Sequence, residues 1–157
     1  MYNQIFAEHA QLLKAMSHPK RLEIINLLRD GALTVGEIQT MLALPQANLS
    51  QHLKVMRTAG IVTTKREGKE INYRVASPEI LAASDSIREF LIKQHEGDDA
   101  YRAPLNDLFP MVIDPVCAMR LSPKTASYST KYKADDYYFC AEGCLNNFHI
   151  NPKLYAK

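Results

Sequence analysis

At 157 residues, 46% hydrophobic and 23% charged, the chain has the composition of one ordinary domain plus a small one, which excludes wholesale disorder. No run approaches the roughly 18 apolar residues of a membrane span, and Met1 to Ala10 has neither the basic start nor the apolar core of a secretion signal, so the expected compartment is the cytoplasm. The net charge of +2 is unevenly spread, for residues 45–75 hold Lys54, Arg57, Lys65, Arg66, Lys69 and Arg74 against Glu67 and Glu70. Such an excess marks either a nucleic-acid surface or an ordinary solvated face.

Ile5, His9, Leu12 and Met16, with Phe6 and Leu13 beside them, repeat at helical spacing and predict a helix over about 4–16. Ser17 is positioned to cap a second helix with Pro19 in its first turn, Leu22, Ile25 and Leu28 as its buried stripe, and Gly31 at its end. Thr34-Val35-Gly36-Glu37 has the form of a capping box and opens a short third helix to about Leu42. After the break at Leu44-Pro45, Leu49, Leu53 and Met56 give a fourth helix, 46–58, one apolar face, and Gly60 closes it. Residues 61–75, interrupted by Gly68, read as a hairpin, and Ser77-Pro78 opens a fifth helix to about Gln94 with Ile80, Ile87, Phe90 and Leu91 as its apolar side.

Periodicity disappears from His95 to Pro110, which predicts a linker between a domain at 1–94 and another at 111–157. In the second, Tyr128, Tyr132, Tyr137, Tyr138 and Phe139 suggest two short strands about a turn at Asp135-Asp136, and 142–148 a short helix. About 47 residues bury too little apolar surface for a self-sufficient core, and a metal staple is a physical remedy. The expected architecture is a mainly α winged helix-turn-helix joined to a small α+β, cysteine-containing metal-binding domain.

Two short helices across a tight break, followed by a basic hairpin, suit DNA binding with the second helix in the major groove. With Leu49 inward, Ala47, Asn48, Gln51, Lys54 and Thr58 point outward. Asn and Gln amides pair with adenine edges, while Lys54 and the wing cations Lys65, Arg66 and Lys69 suit phosphates. A polar outward face is equally what any surface helix shows. The run from Pro45 to Val62, PQANLSQHLKVMRTAGIV, preceded by Ser17-His18-Pro19-Lys20-Arg21-Leu22-Glu23-Ile24, resembles the ArsR/SmtB family of repressors over about residues 5–94. That resemblance implies a homodimer built from the first and last helices, bound to double-stranded operator DNA through Gln46, Ala47, Asn48, Ser50, Gln51 and His52. His52 lies at the flank of the outward face, where packing is as good a role as DNA contact.

Where some family members carry a cysteine pair in the third helix, residues 37–42 have none. Others carry Asp and His ligands on the last helix, but Ile87 follows Asp85 where the His would stand, and His95 alone makes no site. The inducer is therefore expected to be read outside the winged helix.

All three cysteines lie after residue 116, as Cys117, Cys140 and Cys144, and an odd number in a reducing compartment argues against a disulfide framework. Cys140 ends the aromatic strand and Cys144, four residues on, can share a face with it at the start of the last helix, where a helix N-terminus and a neighbouring cation would favour the ligating thiolate. Asp114-Pro115-Val116-Cys117-Ala118-Met119, with residues 137–144 and 148–155, resembles the YHS domain of the TRASH group of metal-handling modules over about 111–156. The resemblance implies heavy-metal sensing or trafficking with the three cysteines as ligands, and Ala118 departs from the glycine usual there.

Soft thiolates select Cu(I), the leading expectation, and sulfur-rich tetrahedral sites select Zn(II), the alternative, with arsenite, mercury or redox chemistry behind them. His149, the natural fourth zinc ligand, lies about 140° around a continuous helix from Cys144. Met119 reads as core, Asp135 and Asp136 as turn residues, and His9 and His18 as packing or surface. No nucleophile triad, phosphate loop or carboxylate pair stands out, so the reading is a non-enzymatic, metal-responsive repressor. The rivals are a winged-helix regulator whose C-terminal domain is a permanent zinc-stapled fold, and a redox or metal-transfer centre tethered to DNA.

Overall fold

The computed structural model describes residues 2–102, 107 and 109–156. The chain divides into two compact units, one made of 1–38 and 44–103, the other of 39–43 and 104–157. No helix among the described residues is long and apolar enough to cross a membrane.

In chain order the first part runs α1 (Tyr2–Met16), α2 (Pro19–Leu27), β1 (Leu33–Thr34), α3 (Val35–Leu42), α4 (Gln46–Thr58), β2 (Val62–Glu67), β3 (Glu70–Val75) and α5 (Pro78–Gln94). The expected cap of α2 is corrected. His18, not Ser17, is the N-cap and its Nδ1 accepts the Lys20 amide at 3.1 Å, while the Ser17 hydroxyl turns back to donate to the Lys14 carbonyl. The capping box of α3 forms as expected: Glu37 Oε2 accepts the Thr34 amide at 2.8 Å and Thr34 Oγ1 accepts the Glu37 amide at 3.2 Å. Ala43 at φ 49° makes the sharp turn that lets Pro45 open α4. Ile24, Ile25, Leu49, Leu53, Met56 and Ile61 are buried in the core of this unit, which fixes the inward face of α4.

The hairpin β2–β3 pairs Val62 with Val75 through to Glu67 with Glu70 and turns at Gly68, φ 62°. Sequence periodicity missed β1, two residues long, which adds Leu33 opposite Tyr73 to give the sheet order β1-β3-β2. Arg29 grips Asp85 with two nitrogens at 2.6 and 2.9 Å and so ties the end of α2 to α5.

Part of the expected linker is structured. A short helix α6 (Asp99–Arg102) follows α5, and the Tyr101 ring stacks on His95 at 4.0 Å. Residues 103–106 and 108 of that stretch lie outside the described residues.

The second part contains β4 (Val112–Ile113) paired with β5 (Arg120–Leu121), β6 (Tyr128–Tyr132) paired with β7 (Asp135–Phe139), then α7 (Glu142–Ile150) and α8 (Pro152–Tyr155). The turn between β6 and β7 is at Lys133, φ 57°, and Ala134, so Asp135 and Asp136 are strand residues rather than the turn. Phe148 is buried in an aromatic cluster with Phe139 at 5.2 Å, Tyr137 at 4.8 Å and Tyr132 edge-on at 6.0 Å. These rings supply the small core on which the cysteine-bearing segments rest.

Candidate nucleic-acid interface and metal centre

Burial of Leu49, Leu53 and Met56 turns the opposite face of α4 outward, and Gln46, Ala47, Asn48, Ser50, Gln51 and Lys54 are all exposed on it. Lys65, Arg66 and Lys69 are exposed on the wing. Two of these cations have local partners: Lys65 Nζ lies 2.8 Å from Glu67, and Arg66 Nε donates to the Gly68 carbonyl at 3.1 Å. The contacts are solvent-exposed and cost little to exchange for a phosphate.

His52 differs from its neighbours on α4. It is half-buried, with its ring 4.5 Å from that of His18. Burial, followed by the nearby His18, Arg21 and Lys20, pushes its imidazole below the ordinary histidine value. The carboxylate and imidazole considered as ligands on α5 have other partners, since Asp85 is held by Arg29 and His95 Nδ1 lies 2.9 Å from the Leu91 carbonyl.

In the second unit, Cys117, Cys140 and Cys144 converge. The Sγ atoms of Cys117 and Cys140 are 3.5 Å apart, and those of Cys140 and Cys144 are 3.8 Å apart. A tetrahedral centre with metal–sulfur bonds of about 2.3 Å sets its sulfurs about 3.8 Å from one another, so the cluster already has the spacing of a thiolate metal site.

A residue overlooked at the level of sequence organises the cluster. Asp114 is fully buried; its Oδ1 accepts the amides of Val116 at 2.9 Å and Cys117 at 3.4 Å, and its Oδ2 accepts the Cys140 amide at 2.9 Å. One carboxylate thus pins the turn carrying Cys117 to the end of β7 carrying Cys140. Burial works to raise the Asp114 pKa, but the amides of Cys140, Val116 and Cys117 together outweigh it and hold the carboxyl below its ordinary value. The available signal was the Asp-Pro pair, because Asp before a turn is placed to accept amides two and three residues on.

The turn closes through the Asp114 amide to the Met119 carbonyl and the Ala118 amide to the Asp114 carbonyl, both 2.9 Å. Ala118 sits at φ 61°, the left-handed region that glycine enters without cost. The departure from the family pattern at this position therefore leaves the turn formed, but strained.

The thiols are corrected in one respect. Burial, with the adjacent Cys117 and Asp114, pushes the Cys140 thiol well up, and burial pushes Cys144 up to about 11. An anion and two other sulfurs next to Cys140 outweigh the helix N-terminus, so the resting thiols of Cys140 and Cys144 hold their protons, and any metal they bind must displace them. Among the described residues the group able to hold an ion is Asp114, Cys117, Cys140 and Cys144, whose ligand atoms all lie within 4.8 Å of one another. His149 is not in it, and its Nε2 sits 3.3 Å from Thr130 Oγ1.

Comparison with known proteins matches both parts. Residues 18–64 match the bacterial regulatory proteins of the arsR family, and residues 112–157 match the YHS domain. The biofilm growth-associated repressor of Agrobacterium fabrum is 49% identical over 69 residues, which are 44% of this chain and 59% of that protein. The transcriptional activator HlyU of Vibrio cholerae is 42% identical over 76 residues, 48% of this chain and 70% of that one. The chain therefore spans less than two thirds of the first relative's length and slightly more than two thirds of the second's. A homodimeric winged helix-turn-helix domain from Mycobacterium bovis shares the fold, with a TM-score of 0.58 at 24% identity over 62% of this chain and 90% of that one. These relatives are regulators of transcription rather than enzymes. With a winged helix that matches such regulators and a thiol cluster within the YHS match, the chain belongs to the ArsR family of bacterial regulatory proteins and carries a YHS domain after its winged helix.

Proposed function

We propose that this chain is a metal-responsive transcriptional repressor, with a DNA-binding and dimerisation domain at 1–94, a linker at 95–110 and a metal-binding domain at 111–157. It binds operator DNA as a homodimer in the cytoplasm and leaves the operator when Cu(I) occupies Cys117, Cys140 and Cys144. The base-reading set is Gln46, Ala47, Asn48, Ser50, Gln51 and His52, with Lys54, Lys65, Arg66 and Lys69 on phosphates.

The observation that carries the reading is the convergence of three sulfurs at 3.5 and 3.8 Å in a chain whose recognition helix and wing hold no cysteine. Copper(I) is favoured because His149, the one histidine after residue 110, stands outside the cluster and both Asp114 oxygens already accept backbone amides, which leaves the three soft sulfurs as the free donors. Dimerisation is supported by apolar side chains left uncovered on α1 and α5, where Phe6 is 67% and Phe90 57% exposed and Ile5, Ile87 and Leu91 are exposed beside them.

A second reading has one observation in its favour. The Asp114 carboxylate lies within the same 4.8 Å group and offers zinc a fourth, oxygen donor, which would make the domain a permanent zinc-stapled fold while the winged helix answers another signal. A duplex selected from a random library by the metal-free protein separates the two. On the first reading, stoichiometric Cu(I) weakens binding at least about 100-fold, and Cys117→Ser, Cys140→Ser and Cys144→Ser proteins stay bound. Unchanged binding on Cu(I) addition, together with unfolding of residues 111–157 on chelation of zinc, would establish the second.

A further inference from the structure

We infer that the Cys117–Cys140 pair is an oxidation site: in the metal-free protein hydrogen peroxide converts these two thiols to an intramolecular disulfide and leaves Cys144 as the single free thiol. The observation is one of position. Cys117 is exposed on the turn that follows Pro115, whereas Cys140 and Cys144 are half-buried, so an oxidant in solution meets Cys117 first. Cys140 Sγ, at 3.5 Å, is close enough to intercept the product before it is oxidised further, and Cys144 is paired with Cys140 at 3.8 Å. Closure to the roughly 2.0 Å of a disulfide bond brings the two sulfurs about 1.5 Å nearer, a displacement within reach of side-chain rotation on an exposed turn.

The chemistry balances with the peroxide as sole oxidant. Cys117 sulfur attacks one peroxide oxygen, the O–O bond breaks, and the thiol becomes a sulfenic acid as water departs with the thiol proton. Cys140 sulfur then attacks the sulfenic sulfur, the S–S bond forms, the S–O bond breaks, and hydroxide leaves with the Cys140 proton as a second water. Two electrons pass from two thiols to one peroxide. The Asp114 carboxylate, which accepts the amides of both cysteines, holds the two backbones in register throughout.

The disulfide removes two of the three sulfurs available to a metal, so oxidation and metal binding exclude each other. That last clause rests on the proposed metal reading, and the oxidation step does not. Metal-free full-length protein is treated with a small excess of hydrogen peroxide, digested without reductant and mapped by mass spectrometry. The expected product is 2 Da lighter, contains a Cys117–Cys140 linked peptide and titrates for one thiol, and a dithiol restores all three. Accumulation of Cys117 sulfinic acid, disulfides only between molecules, or a predominant Cys140–Cys144 link would each overturn the inference. Protein loaded with Cu(I) is treated in parallel under the same conditions. If it oxidises as fast as metal-free protein while the Cys117–Cys140 link still forms, the metal reading fails and the oxidation site stands.

Discussion

Replacing Asp114 isolates what a single buried carboxylate contributes to the thiol centre. In Asp114→Ala the amides of Val116 and Cys140, each 2.9 Å from a carboxylate oxygen, and the Cys117 amide at 3.4 Å all lose their acceptor at a fully buried position. Hydrogen bonds to a charged group contribute about 1.5–3 kcal/mol each. Counting the two short ones gives a loss of about 3–6 kcal/mol, which equals or exceeds the roughly 3–5 kcal/mol a domain of this size can expect from its own core. Metal-free Asp114→Ala protein should therefore be unfolded over 111–157 and folded over 1–94. Asp114→Asn keeps one carbonyl but turns an N–H₂ group toward an amide donor, and should lose roughly half as much. Amide hydrogen exchange resolved by peptide reads both outcomes: segments containing Cys117 and Cys140 lose protection, while the segment of α4 does not change. Protection within a factor of about 5 of wild type at Cys140 in the alanine protein, equivalent to roughly 1 kcal/mol, would refute the assignment of Asp114 as the organiser.

Four other substitutions have definite outcomes. Ala118→Gly relieves an L-residue at φ 61° and should stabilise the metal-free C-terminal unit by about 0.5–1 kcal/mol after the greater freedom of the unfolded glycine is subtracted, measured as slower exchange at the Cys140 amide. Asp85→Asn removes the anion gripped by Arg29 on a partly exposed pair and should cost about 1 kcal/mol at neutral pH. The hydrogen bond from Arg29 holds the Asp85 carboxyl below its ordinary value, so its contribution is present above the unfolded carboxyl value of about 3.9 and lost as pH falls through the lower folded value. Urea midpoints of the two proteins should therefore converge below about pH 4, and parallel curves would exclude a role for the pair. On DNA, Gln51→Ala should lose about 1–3 kcal/mol of discrimination between sequences, whereas Arg66→Ala should weaken binding to every duplex and reduce the salt slope by about 1, both read from titrations at several salt concentrations.

The legible parts of this chain were those fixed by local chemistry. Helical spacing of Leu49, Leu53 and Met56 placed α4 and its outward face, because burying that stripe leaves the other side to solvent. Thr34 and Glu37 declared the start of α3, since a reciprocal cap needs only residues three apart. The misreadings came where contacts between distant segments decide. β1 is two residues long and exists because Leu33 finds Tyr73 across the sheet, which no periodicity of so short a segment can signal. The β6–β7 turn fell one step away from the acidic pair because pairing of Lys131 with Asp136 and Tyr132 with Asp135 draws both carboxylates into the ladder. Asp114 was the costliest omission. Its Oδ2 partner is Cys140, 26 residues on, so its role exists only once the fold brings the two segments together, which no local motif encodes.

The separation of the two chemistries along the chain constrains how any signal is transmitted. In the proposed regulator the outward face of α4 and the wing hold no cysteine and the thiols are confined to residues after 116, so metal binding would act through a difference in affinity between two states of the protein. Moving a population from about 1:99 to 99:1 requires a preference of about 10⁴-fold, or about 5.5 kcal/mol. A thiolate site can supply that from a binding free energy of roughly 10–16 kcal/mol only if a substantial fraction depends on the state of the whole chain. The same arithmetic makes Asp114 more than a local brace. By holding Cys117 and Cys140 together before metal arrives, it lowers the ordering cost charged to metal binding, leaving more of the metal's affinity available to bias the equilibrium. A centre assembled only by the metal would use that affinity on folding residues 111–157. In the proposed sensor the Asp114 bonds persist without metal and keep the Cys140 amide protected from exchange, whereas in a zinc staple they form only with the metal.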